Sequence, residues 1–307
     1  MRLIESAGLE ARVLERMRNA RTGSREAMAL VTLAQKPPAQ ARPARTGQPL
    51  LDHAVLRRTV QREYARVALF PGREHPLRCG PVQAQALGYP PDLLEALPTP
   101  VRESMCGVGA PSLVAEISRG DVVVDVGSGS GADAFIAAWK VGASGKVIGV
   151  EMTEELLRKA SGAARQQQLT QLRIEKGIAE ELPVDERSAD VVLVNGVISM
   201  FVADKERALA EALRVLKPGG RLVLAEVVVQ KVAPLEARAV PGEWAHGLAG
   251  PVPEGEFLEM VLAAGFSQPS VLRRGDPFAG SSLELAARDA GAASIVLTAG
   301  RPGGSHA

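Results

Sequence analysis

Val122-Val123-Val124-Asp125-Val126-Gly127-Ser128-Gly129-Ser130-Gly131 decides the fold. A run of valines enters a glycine-rich turn, and the stretch Ala132 to Trp139 behind it has helical composition, so the segment predicts a buried strand, a tight loop and a helix start. Glycines let the main chain come close to a ligand, and a helix start presents N–H groups with no intrahelical partner. Together they predict a pocket for a nucleotide-like molecule.

The charges around the loop narrow the ligand. Read loosely, Gly127-x-Gly129-x-x-Ala132 also fits the dinucleotide fingerprint, in which a pyrophosphate sits on the helix end. Asp125, two residues before the first glycine, disfavours that reading, because a carboxylate in a poorly solvated cleft repels an anion and attracts a cation. The next strand, Lys146 to Val150, ends at Glu151, where an acidic side chain accepts both hydroxyls of a ribose. A cation that carries a ribose and no phosphate describes S-adenosylmethionine, the cofactor expected here.

Composition excludes several other classes. The chain has 307 residues, 46% hydrophobic and 23% charged, which allows one large domain with an appendage and a sizeable core. Only 3% are aromatic, too few for base-stacking platforms, so no nucleic-acid partner is expected. No run approaches a membrane span and residues 1–5 show no signal-peptide core, which predicts a cytoplasmic protein without a membrane partner. Two cysteines, Cys79 and Cys106, are too few for a disulfide framework or a closed four-thiolate site, so no metal is expected. Net charge is +1, but residues 1–80 hold 15 Lys and Arg against 7 Asp and Glu. Such a basic piece suits docking on the acidic remainder, a dimer contact, attraction of an anionic substrate, or simple solvation of a helix face.

Along the chain, Leu9, Val13 and Met17 mark one stripe of a helix over 3–34, and the stretch 36–49, rich in proline, is a linker. Residues 1–50 are therefore expected to form a helical extension, with a possible homodimer through its helices; 51–111 form a helical cap and 112–302 the ligand-binding domain. A helix from Leu51 to Ala68 carries His53 and Tyr64, and a short one follows Pro90-Pro91. After Glu151 come a helix capped by Thr153, a strand at 172–175, a strand at 190–195, a helix at 203–216 closed by Lys217-Pro218-Gly219-Gly220, and a strand at 221–228. This alternation predicts an α/β fold with a doubly wound, mostly parallel sheet and ligands at the strand C-terminal ends. Residues 229–252, with Trp244 and His246, break the alternation and are expected to overhang the crevice. A helix at 254–264 and two strands at 270–274 and 294–299, a plausible antiparallel pair, complete the chain.

The landmarks Leu87-Gly88-Tyr89, Glu103-Ser104-x-Cys106-Gly107-Val108-Gly109-x-Pro111, Asp125 to Asp133, Glu151-Met152-Thr153, Asn195-x-Val197-Ile198 and Leu216-Lys217-Pro218-Gly219-Gly220 occur in the order seen in class I S-adenosylmethionine-dependent methyltransferases. The sequence resembles their arsenite methyltransferase branch from about Leu51 to Pro302. That resemblance implies a seven-stranded Rossmann-like sheet and a cofactor pocket. In it, Asp125, Gly127, Ser128, Gly129 and Gly131 hold the methionine end and Asp133 orients the loop. Glu151 takes the ribose, Met152 packs on adenine with Ile178 and Ala179 along its edge, and Asn195 and Gly196 lie beneath the sulfonium. Ile178 replaces the acidic side chain usual in the family.

The substrate half departs further. The family places thiolates, soft ligands for a soft centre, where this sequence has Gly196 and Gly247. Cys106 keeps a matching motif. A three-thiolate arsenic site within one chain is therefore not expected, and the acceptor is expected to be a small organic molecule such as a natural product. Cys106, Trp244 and His246 are the expected substrate-pocket residues. His246, Tyr64 and Glu103 are candidates for a general base. Rival readings are ring closure, for example cyclopropane formation, on a sulfonium-bearing intermediate; arsenite methylation; a non-catalytic binding or assembly protein; and, most remotely, an NAD-dependent oxidoreductase.

Overall fold

The computed structural model describes residues 51–303. The expected extension, linker and dimer contact in residues 1–50 lie outside the described residues.

Seven strands form one sheet in the order β3-β2-β1-β4-β5-β7-β6, with β1 Val122–Val126, β2 Lys146–Glu151, β3 Leu172–Lys176, β4 Ala189–Asn195, β5 Leu216–Val228, β6 Ser267–Gly275 and β7 Ala293–Gly300. β1 pairs in parallel with both β2 and β4, setting Asp125 opposite Gly149 on one side and Leu193 on the other. β7 runs antiparallel between β5 and β6. The chain reverses its direction of strand addition between β1 and β4, and the C-terminal ends of those strands open the crevice where ligands bind in such sheets.

Alternation along the strands builds a core on each face. Val123, Val147, Val191 and Leu193 pack with Phe135 and Ile136, while Val124, Val126, Ile148, Val192 and Val194 pack with Leu209, Phe257 and Val261 on the other side. Both faces being covered explains why the strands read as nearly unbroken aliphatic runs.

Helices in chain order are α1 His53–Leu69, α2 Pro81–Ala86, α3 Pro91–Ala96, α4 Thr99–Glu103, α5 Pro111–Val114, α6 Ala132–Val141, α7 Glu154–Gln166, α8 Ile198–Phe201, α9 Lys205–Val215, α10 Leu235–Arg238, α11 Pro241–Ala245, α12 Glu254–Ala263 and α13 Glu284–Ala290. α1 starts at Asp52, whose carboxylate accepts from the N–H groups of Ala54 and Val55. Its Leu56 and Val60 pack on Trp244 and Ala245. From there α1 lies across the strand ends: Gln61 Nε2 donates to the Met152 carbonyl at 2.9 Å, and Arg57 pairs with Glu180 at 3.4 Å.

Three expectations are corrected. Thr153 stands at the start of α7 without a side-chain capping bond; Glu151, two residues earlier, accepts its backbone N–H instead, so the carboxylate serves both turn and helix start. Lys217-Pro218-Gly219-Gly220 lies within β5 as an irregularity, since the pairing with β4 passes directly from Ala189–Leu216 to Val191–Arg221. The 229–252 segment does not overhang the crevice. It forms α10 and α11 behind α1, with Trp244 only 1% exposed and its Nε1 donating to the Arg238 carbonyl at 2.9 Å.

Trp244→Ala is expected to lower the unfolding free energy by about 3–5 kcal/mol, the range for emptying a buried tryptophan site. Urea unfolding followed by far-UV circular dichroism measures this, and a loss below about 1 kcal/mol would contradict its role as the filler between α11 and α1.

Candidate functional site

The turn after β1 is built by glycine. Gly127 has φ +67, and a Cβ on it would lie 2.4 Å from Val197 Cγ2, so neither its backbone angle nor its neighbour leaves room for a side chain. The tight turn brings the chain over the end of β1, and Gly131, at φ +96, starts α6. Glu151 at the end of β2 holds the turn: its Oε2 accepts from Gly129 N–H at 2.9 Å and its Oε1 from Thr153 N–H at 2.6 Å. Burial raises its pKa, while these N–H donors partly offset the shift.

Beneath the turn lies a small recess containing Asp125, Asp133 and Asn195. Asp133 is fully engaged: Oδ1 accepts from Tyr89 Oη at 2.7 Å and from Ser112 Oγ, and Oδ2 from Asn195 Nδ2 at 2.9 Å. Asn195 returns the tie by accepting from Val108 N–H at 2.9 Å and donating to the Gly109 carbonyl at 2.9 Å, which fixes the 107–109 loop. Asp125 is different. It is 2% exposed and its Oδ2 has no hydrogen-bond partner among the described residues. Burial, then the Asp133 charge, push its pKa well above the ordinary carboxylate value. No Lys or Arg lines the recess among the described residues. A buried, unpaired carboxylate beside a second one is costly unless a cation joins it. The donor set fits a ligand with a positive group at this end.

The recess adjoins a larger crevice of about 890 Å³, its open mouth included. Gly127, Gly129, Glu151, Met152, Ile178, Ala179, Asn195 and Gly196 all line it. Asp125, Ser128 and Asp133 line the recess, and Gly131 lines neither. The far wall is apolar, with Val60, Tyr64, Leu77, Val108, Phe201 and Val202, and Arg57 completes it. Tyr64 meets Phe201 edge to face at 5.2 Å between ring centroids.

The expected catalytic and substrate residues separate. Tyr64 and Cys106 are on the crevice wall, whereas Glu103 is exposed and His246 and Trp244 are absent from the lining of both cavities. Glu103 points away because α4 turns its buried face, Val101, toward the core. His246 follows α11, which packs behind α1 rather than over it. Burial pushes the Tyr64 phenol far above its usual range, so it stays protonated at neutral pH and is a donor, not a base. Arg57, Val60, Leu77, Phe201 and Val202 were missed. A signal existed for the first two: Arg57, Val60 and Tyr64 recur at helical spacing on one face of α1.

Cys79 and Cys106 form a disulfide, with Cα atoms 4.6 Å apart and no free cysteine among the described residues. The pairing leaves neither thiol free as a soft ligand. The two glycines at expected thiolate positions both have positive φ, +71 at Gly196 and +89 at Gly247, a backbone conformation that strains any side chain placed there. A Cβ on Gly247 would lie 2.4 Å from Met200 Cε, and one on Gly196 would lie 3.3 Å from Val108 Cγ1 and 3.5 Å from Met200 Sδ.

The family model described as a methyltransferase domain matches residues 117–261, which span β1 to α12. The seven-stranded, mostly parallel sheet has the Rossmann-like fold of class I methyltransferases. It is similar to the arsenite methyltransferase of Halobacterium salinarum, at 34% identity over 52% of this chain and 41% of that protein. It is also 34% identical to the arsenite methyltransferase of Aquipseudomonas alcaligenes over 54% of this chain and 49% of that one. The match thus spans about half or less of these relatives. Among solved structures, an arsenic(III) S-adenosylmethionine methyltransferase from Chlamydomonas reinhardtii superposes with a TM-score of 0.60 at 29% identity, covering 74% of this chain and 75% of that one. Within the matched region the glycine turn, Asp125 and Glu151 lie at the C-terminal ends of β1 and β2, beside the sheet's switch point. No helix of the described residues is long and apolar enough to cross a membrane.

The raised pKa of Asp125 carries a sign. A carboxyl whose folded-state pKa lies above its unfolded value stabilises the fold at low pH, and that contribution is lost as pH rises through the folded value. Asp125→Asn is therefore expected to raise the Tm of the ligand-free protein at pH 8 and to flatten the fall in stability that the wild type shows as pH climbs from about 4. Thermal unfolding across pH 4–9 reads this out; equal profiles would mean that Asp125 is already compensated.

Proposed function

We propose that the chain is an S-adenosylmethionine-dependent methyltransferase that alkylates a small organic acceptor by in-line displacement. The observation that carries the reading is Asp125, a buried carboxylate with a free oxygen in a recess that holds no cation of its own. The ammonium of the methionine end is the complement this recess needs. Glu151 would accept from the ribose hydroxyls, with Met152, Ile178 and Ala179 along the adenine and Asn195 and Gly196 beneath the sulfonium. The cofactor supplies an electrophilic methyl group. The chain's task is then alignment and exclusion of water, and positioning of that kind contributes about 7–11 kcal/mol to lowering a barrier. Tyr64 would donate a hydrogen bond to the acceptor, while Val60, Leu77, Val108, Phe201 and Val202 would hold an apolar body against the methyl.

Two observations favour an organic acceptor over arsenic. Both cysteines are tied to each other, and positions 196 and 247 are glycines at positive φ with no side chain to ligate. Arsenite methylation remains the second reading on the strength of the similar proteins, and reduction of the Cys79–Cys106 pair is what it would require. Ring closure on a sulfonium-bearing intermediate uses the same cradle.

Asp125→Asn and Glu151→Gln are each expected to weaken S-adenosylhomocysteine binding at least tenfold in calorimetry. Affinity unchanged in both variants would overturn the cofactor assignment. Methyl-labelled S-adenosylmethionine incubated with a panel of phenols, amines and thiols, and separately with reduced enzyme and arsenite, distinguishes the acceptors. Label appearing only on arsenic would overturn the choice of an organic acceptor while leaving the cofactor reading intact.

A further inference from the structure

The stretch from Gly196 to Val202 crosses beneath the crevice and contributes to both of its halves. Gly196 and Val197 face the expected cofactor side, where Val197 packs against Gly127, and Phe201 and Val202 face the apolar wall. Two buried charges outside the crevice hold its ends. At one end, the Glu226 carboxylate, on β5 and 0% exposed, accepts from three successive backbone N–H groups: Val197 at 3.1 Å and Ile198 at 2.6 Å on Oε1, and Ser199 at 3.1 Å on Oε2. At the other, Lys205 Nζ donates to the Val202 carbonyl at 2.8 Å and lies 4.6 Å from the centroid of the Trp244 ring. Neither residue lines the crevice.

We propose that Glu226 and Lys205 are positioning residues that clamp the 196–202 segment, so that one pair of buried charges sets the geometry of both the methyl-donor and the acceptor half of the site. This rests on the function proposed above for what the site binds, but the clamp itself is a statement about the segment. A carboxylate is suited to the task because it alone among side chains offers enough lone pairs for three N–H donors converging from one turn. An apolar or singly accepting residue would leave buried N–H groups unpaired, which shifts the turn rather than merely softening the core.

The electrostatics make the clamp adjustable. Burial raises Glu226 to about 7, and the three N–H donors partly offset it. Burial lowers Lys205 to about 7, with Glu226 favouring its charged form, Arg238 opposing it and Glu256 favouring it. On the strand beside it Glu226 pairs with Ile295, which offers no charge, so Lys205 is the cation within its reach. Acidification through neutrality protonates the carboxylate and removes acceptor capacity from the segment.

The test uses the full chain with Glu226→Gln and, as a second variant, Lys205→Met. Amide hydrogen exchange at Val197, Ile198 and Ser199, referred to the amides of β1, is expected to quicken at least tenfold in Glu226→Gln. Calorimetric affinity for S-adenosylhomocysteine is expected to fall at least fivefold in the same variant, and the loss of affinity on acidification through pH 7 is expected to be smaller in it than in the wild type, the remainder belonging to Asp125. Lys205→Met should weaken the affinity in the same direction, and it serves alone if Glu226→Gln does not fold. Unchanged exchange at 197–199 overturns the clamp. Faster exchange with an affinity loss below fivefold overturns its positioning role, leaving Glu226 a structural residue. A wild type that does not bind S-adenosylhomocysteine at all overturns the proposed function, and the exchange result then decides the clamp by itself.

Discussion

Negative charge kept out of water at the end of a parallel sheet is the constraint on which the rest of this structure depends. Asp125, Asp133 and Glu151 are all at least nine-tenths buried around the same glycine turn. Each carboxylate loses hydration on folding and needs a replacement for it. Glu151 finds backbone N–H groups in the turn and at the helix start. Asp133 finds Tyr89, Ser112 and Asn195. Asp125 keeps one oxygen unpartnered. The first two arrangements lock the local backbone, and the third leaves a local charge imbalance that a cationic ligand relieves. Binding and architecture are thus linked by the same unpaid hydration.

The acceptor half follows from a different principle, the filling of space. α1 covers the strand ends with an apolar face, fixed through Trp244 behind it and through the Gln61 and Arg57 contacts at its front. Where a thiolate site would need side chains at 196 and 247 the chain has glycines at positive φ with Met200 beside both, and a methionine thioether is soft and adaptable but holds no charge. The paired Cys79 and Cys106 add no thiolate charge to the wall. A site of this kind selects by shape and apolar contact. Its few polar atoms, Tyr64 Oη foremost, orient what enters.

Between these halves the 196–202 segment acts as a shared floor. Its position follows from hydrogen bonds made beneath the crevice, to Glu226 and Lys205, and from the packing of Val197 over Gly127. Residues that never meet a ligand therefore set distances for those that do, which is the usual way a scaffold converts buried polar bonds into precise placement.

Much of this was legible in the amino-acid order. The valine run, the glycines and the two acidic residues at strand ends each express a local rule: period-two burial, positive φ, and carboxylates where strands terminate in a crevice. Such rules act over a few residues, so the sheet, its switch point and the residues that line the crevice at its strand ends are legible in the sequence. The overhang expected of 229–252, the catalytic candidates His246 and Glu103, and the thiol state of Cys79 and Cys106 could not. Each depends on which distant surfaces meet: α11 against α1, α4 against the core, one cysteine against another 27 residues away. Sequence alone determined the glycine turn and the acidic strand ends beside it, because those residues are neighbours along the chain or along adjacent strands. Only tertiary packing decided the acceptor side and the buried clamp, because Glu226, Met200 and Trp244 gain their meaning from volumes and hydrogen bonds that exist only once separate elements close on one another.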